Sequence, residues 1–237
     1  MQLGPIADRA IDHGAAVGPQ LCRHLREAII QNDISPGARL SEAEIARLFA
    51  VSRQPVREAF IRLAEEGLLE IRPQRGTFVR KISSQAVKDS GFVREAVESD
   101  IVKILAQAPD ALLMDELRRQ LAVQRKAAKN NPKHFERKNF ITLDELFHQT
   151  MAEGAGKAYA WNVVVGLKAQ MDRVRFLSLK EFPLTKVIDQ HTAIVEAIAA
   201  GNVAEAELAI RSHISGTLVE LPVIARSNPD FFEDTGQ

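Results

Sequence analysis

This chain has one cysteine, few aromatic residues and no excess of either charge. The lone Cys22 excludes an internal disulfide and suits a reducing compartment, so we expect a small buried helix residue and a cytoplasmic protein. Aromatics make up only 5% of the 237 residues, while 46% are hydrophobic and mostly aliphatic. That balance disfavours a sandwich or barrel and favours packed helices. Basic and acidic residues cancel at 31 each, so no global field draws the protein to nucleic acid. No apolar run is long enough to span a bilayer and no secretory signal is present, so no membrane role is expected.

Against these absences stands a patterned N-terminal third. Residues 1–18 lack periodicity and read as a flexible tail. From Pro19 to about Gln31 a first helix carries Leu21, Leu25, Ala28 and Ile29 on one stripe. Asn32-Asp33 and Ser35-Pro36-Gly37 end it. Ser41 and Glu44 have capping-box spacing, which starts a second helix running to about Phe49. Ser52 is a further N-cap, and Pro55 sits in the first turn, where a missing N–H costs little. This third helix turns Val56, Ala59, Phe60 and Leu63 inward and stops at Gly67. Residues 68–72 and 77–81 read as strands around Pro73-Gln74-Arg75-Gly76. Three short helices and a hairpin describe a winged helix-turn-helix over residues 19–82.

Its basic residues are clustered. Ser52, Arg53, Gln54 and Arg57 lie at the N-terminal end of the third helix, the end that enters a major groove in such folds. Arginine can grip guanine and glutamine can pair with adenine, while Ser52 and the helix amides suit a phosphate. Arg72, Arg75, Arg80 and Lys81, with Gly76 at the tip, make a basic wing suited to backbone or minor-groove contact.

After Ser84 the pattern changes to long helices. We expect six, at about 84–107, 110–130, 133–153, 157–181, 185–200 and 203–221, before a second flexible tail at 227–237. Short breaks between them imply an antiparallel bundle over residues 83–226. The predicted fold is mainly α: a winged helix-turn-helix followed by this all-α bundle of about six helices. Asp144 and His148 are spaced to share one helix face. His191 and His213 flank Gly201-Asn202 at nearly equal distances, which places them level across a helix turn. One carboxylate and three imidazoles from three helices make a set able to bind a divalent metal.

The segments Ile34–Glu42 (ISPGARLSE), Val51–Ala59 (VSRQPVREA), Arg62–Leu69 (RLAEEGLL) and Arg75–Val79 (RGTFV) closely resemble the GntR family of bacterial transcription regulators. The resemblance implies a homodimer on double-stranded, palindromic operator DNA, contacted by Ser52, Arg53, Arg57 and Gly76. Arg39 is a further candidate, although Glu42 is also within its reach. Gln54 stands where the family usually has Thr.

Phe140, Asp144, Phe147, His148, His191, Ala197-Ile198, Gly201 and His213 resemble the FCD effector domain of the family's FadR branch. Six helices point to its VanR-type subgroup. By this resemblance, Asp144, His148, His191 and His213 hold a divalent ion such as zinc or nickel. Lys157 departs from an Asn often found after the glycine. A small carboxylate effector could complete the ion's shell. Arg94, in an Arg-x-x-x-Glu pattern with Glu98, and Arg173, level with His191 when reflected about Pro183, are the candidates to hold its far end, with Arg175 as a substitute for Arg173. A ligand-responsive regulator without enzymatic activity is the reading preferred. The alternative is a metalloenzyme acting on a small organic acid, with a DNA-binding appendage.

Overall fold

The structure is a computed structural model that describes residues 10–129, 134–179 and 181–233. Most of the expected N-terminal tail, the Asn131-Pro132 break and the end of the C-terminal tail lie outside these residues. The chain forms two compact units. Residues up to Ala86 and from Ala225 onward make one, and Val87–Ile224 make the other.

The first unit contains α1 (Val17–Ile30), β1 (Arg39–Leu40), α2 (Glu42–Leu48), α3 (Arg53–Glu65), β2 (Leu69–Arg72) and β3 (Gly76–Val79). It is a winged helix-turn-helix. Leu21, Leu25, Ala28 and Ile29 of α1 are fully buried, as are Val56, Ala59 and Leu63 of α3. Each of the buried leucines, isoleucine and valine contributes about 1.5–3 kcal/mol on burial. Ser41 Oγ accepts the Glu44 N–H at 3.4 Å and caps α2. The three strands are antiparallel in the order β1-β3-β2, with Arg39 opposite Phe78 and Arg72 opposite Gly76. β1 adds to the expected elements, because a two-residue strand carries no period to read. Cys22 is buried, and burial raises its thiol above the ordinary range.

Both ends of this unit are more ordered than the sequence suggests. α1 begins at Val17, ahead of Pro19, and the Gln20 amide bonds both the N–H and the carbonyl of Asp12 at 2.9 and 2.8 Å. At the other end, residues 229–233, expected to fray, contain a 3-10 turn (Pro229–Phe231) and a parallel bridge from Phe232 to Ile82. Burial of Phe232, at 5% exposed, and two backbone hydrogen bonds account for the difference.

Seven helices follow among the described residues: α4 (Ser84–Gln107), α5 (Ala111–Lys129), α6 (His134–Gly154), α7 (Ala158–Leu167), α8 (Ala169–Ser178), α9 (Leu184–Ala199) and α10 (Val203–Ser227). α5 packs against both α6 and α9. Two boundaries differ from expectation. The helix predicted over 157–181 breaks at Lys168. The Lys168 ammonium is buried and needs partners, which Glu145 at 2.7 Å and Asp172 at 2.7 Å supply. The last helix runs through Pro222 to Ser227, with Leu221 and Ile224 buried on either side of the proline. Their packing outweighs the backbone hydrogen bond that the proline removes. No helix among the described residues is long and apolar enough to cross a membrane.

Candidate metal centre and nucleic-acid face

α6 supplies Asp144 and His148, one turn apart, while α9 supplies His191 and α10 supplies His213. Gly201 takes a left-handed φ of +67° after α9. Asn202 Oδ1 then accepts the Glu205 N–H at 3.2 Å and caps α10. The chain reverses within this turn, and the rings of His191 and His213 meet with centroids 4.6 Å apart. All four side chains are buried. One donor atom from each lies within 4.8 Å of the others.

The outer ring nitrogens fix the inner ones. His148 Nδ1 lies 2.5 Å from Glu98 Oε2, and Arg94 Nε donates to Glu98 Oε1 at 2.5 Å. His191 Nδ1 lies 2.9 Å from Gln124 Oε1, and Gln124 Nε2 donates to the Leu143 carbonyl at 3.2 Å. That carbonyl takes only a donor, so the Gln124 oxygen must face His191, whose Nδ1 therefore carries the proton. His213 Nδ1 lies 3.2 Å from Gln190 Oε1. With its Nδ1 protonated, His191 presents a bare lone pair at Nε2, and the oxygens of Glu98 and Gln190 beside the other two rings favour the same arrangement there.

These lone pairs face other acceptors. His148 Nε2 and His213 Nε2 are 3.2 Å apart, and His191 Nε2 is 3.4 Å from Asp144 Oδ1. Neither His191 Nε2 nor Asp144 Oδ1 has a hydrogen-bond partner among the described residues. Four buried acceptors turned toward one point are costly unless a cation lies among them. The donor set fits a divalent metal.

Electrostatics keep the set in its ligating form. Burial pushes the His191 imidazole down to about 3 and holds that of His213 well below its ordinary value, so both are neutral near pH 7. Burial alone would raise the Asp144 carboxyl, but the Arg175 guanidinium paired with it holds it well below the usual carboxylate range. Glu98 is likewise brought to about 2, because Arg94 and His148 together outweigh its burial. Phe147 stacks on His191 at 4.3 Å and Trp161 on His148 at 6.0 Å, which gives the centre aromatic walls.

A cavity of about 60 Å³ adjoins the centre, with Arg94, Arg175 and Gln190 in its wall beside Asp144 and His213. Arg94 NH2 is buried and has no hydrogen-bond partner among the described residues. Arg173 is not in this wall. It is fully buried, with NH1 3.5 Å from Gln170 Oε1, and burial lowers its guanidinium to about 10. Reflection about Pro183 finds the level of these arginines but not the face, since two positions along a helix turn a side chain by about 200°. Arg175 is the one that reaches the centre. Gln124 and Gln190 escape the sequence reading, although Gln124 interrupts the Leu117 and Leu121 stripe of α5, a polar residue where an apolar one is due.

In the first unit, Ser52, Arg53, Gln54 and Arg57 are all exposed. Ser52 takes the N-cap position of α3 without a side-chain capping bond. Arg57 donates to both oxygens of Glu42 at 3.0 Å, and Gln54 donates to Glu58 at 3.1 Å. Gly76 has φ +111°, and a Cβ there would lie 2.8 Å from Arg39 Nε. Arg39 therefore crosses the wing glycine, while Arg57 holds Glu42. Arg75 is exposed in the wing turn, and Arg72 lies over the Phe78 ring at 4.9 Å.

Comparison with known proteins agrees with both halves. Residues 19–79 match the family described as bacterial regulatory proteins, gntR family, and residues 89–216 match the FCD domain. The chain is 37% identical over 222 residues to the HTH-type transcriptional repressor RspR of Escherichia coli, covering 92% of this chain and 94% of that one. It is 28% identical over 190 residues to the gluconate operon transcriptional repressor of Bacillus subtilis, covering 78% and 76%. The solved structure of E. coli McbR/YncC shares the fold at a TM-score of 0.72 and 16% identity, over 90% of this chain and 99% of that one. The chain thus belongs to the GntR family of bacterial transcription regulators, in the branch whose gntR-type DNA-binding domain is followed by an FCD domain.

Proposed function

We propose that this regulator acts as a homodimer on a palindromic operator, and that a small carboxylate bound beside a divalent ion sets its DNA affinity. Ser52, Arg53, Gln54 and Arg57 of α3 would contact the major groove, with Arg39, Arg75 and Gly76 following the backbone or minor groove. The observation that carries the sensing half is the convergence of Asp144, His148, His191 and His213, with Asp144 Oδ1 and His191 Nε2 buried and lacking a hydrogen-bond partner among the described residues.

An imidazole-rich set with one carboxylate suits zinc or nickel. Such an ion would take the free Oδ1 of Asp144, whose Oδ2 is held by Arg175, and offer a further position to a carboxylate oxygen. Arg94, which lines this cavity and has an unpartnered NH2 among the described residues, would take the acid's other end by a charge-assisted hydrogen bond. Arg175 would add a second. At roughly 10–15 Å³ per water, a cavity of about 60 Å³ admits an acid of only a few heavy atoms. The effector must bind the DNA-competent and incompetent states unequally to act at all. Relatives named as repressors support a repressor over an activator. The same names support a regulator over a metalloenzyme, and Glu220 at the cavity edge is already paired with Lys186 at 2.8 Å. With α7 separate from α8 the bundle has seven helices among the described residues, so the six-helix count does not support the VanR-type subgroup.

The test is a panel of small mono- and dicarboxylic acids added to zinc-loaded protein bound to a genomic fragment that it selects. At least one acid should release the fragment, and Arg94→Met should lose that response while keeping basal DNA affinity. If no acid changes affinity or thermal stability in metal-loaded protein, the carboxylate reading fails.

A further inference from the structure

The chain's last described residues return to the DNA-reading unit. β3 ends at Val79, and the strand's exit is tied on either side of Lys81. Arg80 N–H donates to the Leu68 carbonyl at 2.9 Å, and Ile82 N–H donates to the Phe231 carbonyl at 2.7 Å. Glu233 N–H donates back to the Ile82 carbonyl at 3.0 Å. Ile82 is fully buried and Phe232 nearly so. Without residues 229–233, both backbone groups of Ile82 would lose these partners.

We propose that this C-terminal segment positions the basic exit of the wing for DNA. Phe232 is its anchor, and its role is to keep Arg80 and Lys81 within reach of a phosphate. Ile82 lies immediately beyond these two residues. With Arg80 held at Leu68 and Ile82 held by the C-terminal segment, both ends of the short stretch that carries Arg80 and Lys81 are fixed. A free chain would have to order this stretch on binding, which lowers its affinity. Glu233 Oε1 lies 3.5 Å from Arg80 NH2, with both side chains about half exposed, so the pair is weak enough to exchange for a phosphate. The proposal rests on DNA reading by the winged unit and not on the metal centre.

The experiment compares the full chain, Phe232→Ala, Phe232→Leu and a chain ending at Ser227. The probe is a short mixed-sequence duplex titrated at several salt concentrations. Hydrogen exchange at the Ile82 amide reports release of the segment, and fluorescence of the one tryptophan, Trp161, reports the bundle. Phe232→Ala should speed Ile82 exchange at least about tenfold. It should also lower duplex affinity about fivefold and reduce the slope of log affinity against log salt by about one, as neutralising one phosphate fewer requires. Phe232→Leu should restore affinity and slope, and the chain ending at Ser227 should behave as the alanine variant does. Faster Ile82 exchange with an unchanged salt slope would overturn the proposal, as would a chain ending at Ser227 that binds duplex like the full chain. Weaker binding at constant slope would also overturn it, since general loosening leaves the number of neutralised phosphates alone.

Discussion

Gln124 Oε1 sits 2.9 Å from His191 Nδ1, and the same amide donates to the Leu143 carbonyl, so one buried side chain sets the tautomer of a proposed metal ligand. Replacing it with leucine keeps the volume and removes the acceptor. Gln124→Leu should weaken zinc binding about 10- to 100-fold in competition with a chelating dye. Equal affinity in the two proteins would show that this orientation does not matter.

The ligands themselves should behave as a unit. His148→Ala combined with His213→Ala should leave purified protein without stoichiometric divalent metal by elemental analysis. Removing both rings also opens a void beneath Trp161, so a loss of roughly 2–4 kcal/mol in stability is expected. Metal content equal to that of the unaltered protein would rule the centre out.

Metal-stripped protein should lose stability on mild acidification. His191 and His213 have depressed values when folded, while an unfolded histidine protonates near ~6.5. The unfolded state therefore binds more protons below that value, and acid favours it. The stabilisation present above about 6.5 should fall by about 1.4 kcal/mol per pH unit per histidine. For His191 that window closes near its folded value of about 3. Glu98 and Asp144, also depressed, add their stabilisation above about 4.3 and lose it as pH falls further. Urea midpoints measured between pH 7 and 5 in chelator should decline steadily. A flat profile would contradict burial of neutral imidazoles.

On the nucleic-acid face, Arg53→Ala should abolish selective operator binding with the bundle still folded. Arg57 is already clamped by Glu42, in an exposed pair that water and salt weaken. Glu42→Gln should therefore release it and tighten DNA binding by up to about fivefold in a mobility-shift titration. Weaker binding in that variant would mean that the carboxylate aims Arg57 and does not restrain it.

The wing tip gives a backbone test. Gly76→Ala puts a Cβ where φ is +111°, and within 2.8 Å of Arg39 Nε. A cost of about 1–3 kcal/mol to the winged unit is expected, with displacement of Arg39. Calorimetry and duplex binding should both register it. An unchanged melting temperature would show that the turn relaxes freely.

Much of this architecture is legible without coordinates. The stripe of α3 and the cap at Ser41 are local patterns, and local patterns are what a sequence displays. The level meeting of His191 and His213 is also legible, because a short turn between two helices makes it simple counting. Arg175 is harder. Counting fixes height along a helix, but the facing surface depends on the break at Lys168, whose ψ of 7° departs from the helical value. The Phe232–Ile82 bridge joins residues 150 positions apart, and nothing in either segment announces its partner.

That bridge bears on how the molecule can be divided. The winged unit is not one continuous stretch of chain: its wall is completed by residues that follow the bundle. A fragment excised after Ala86 would arrive missing its own last piece, with an oily seam at Ile82 open to water and prone to self-association. A faithful miniature would need the two ends fused through a short spacer.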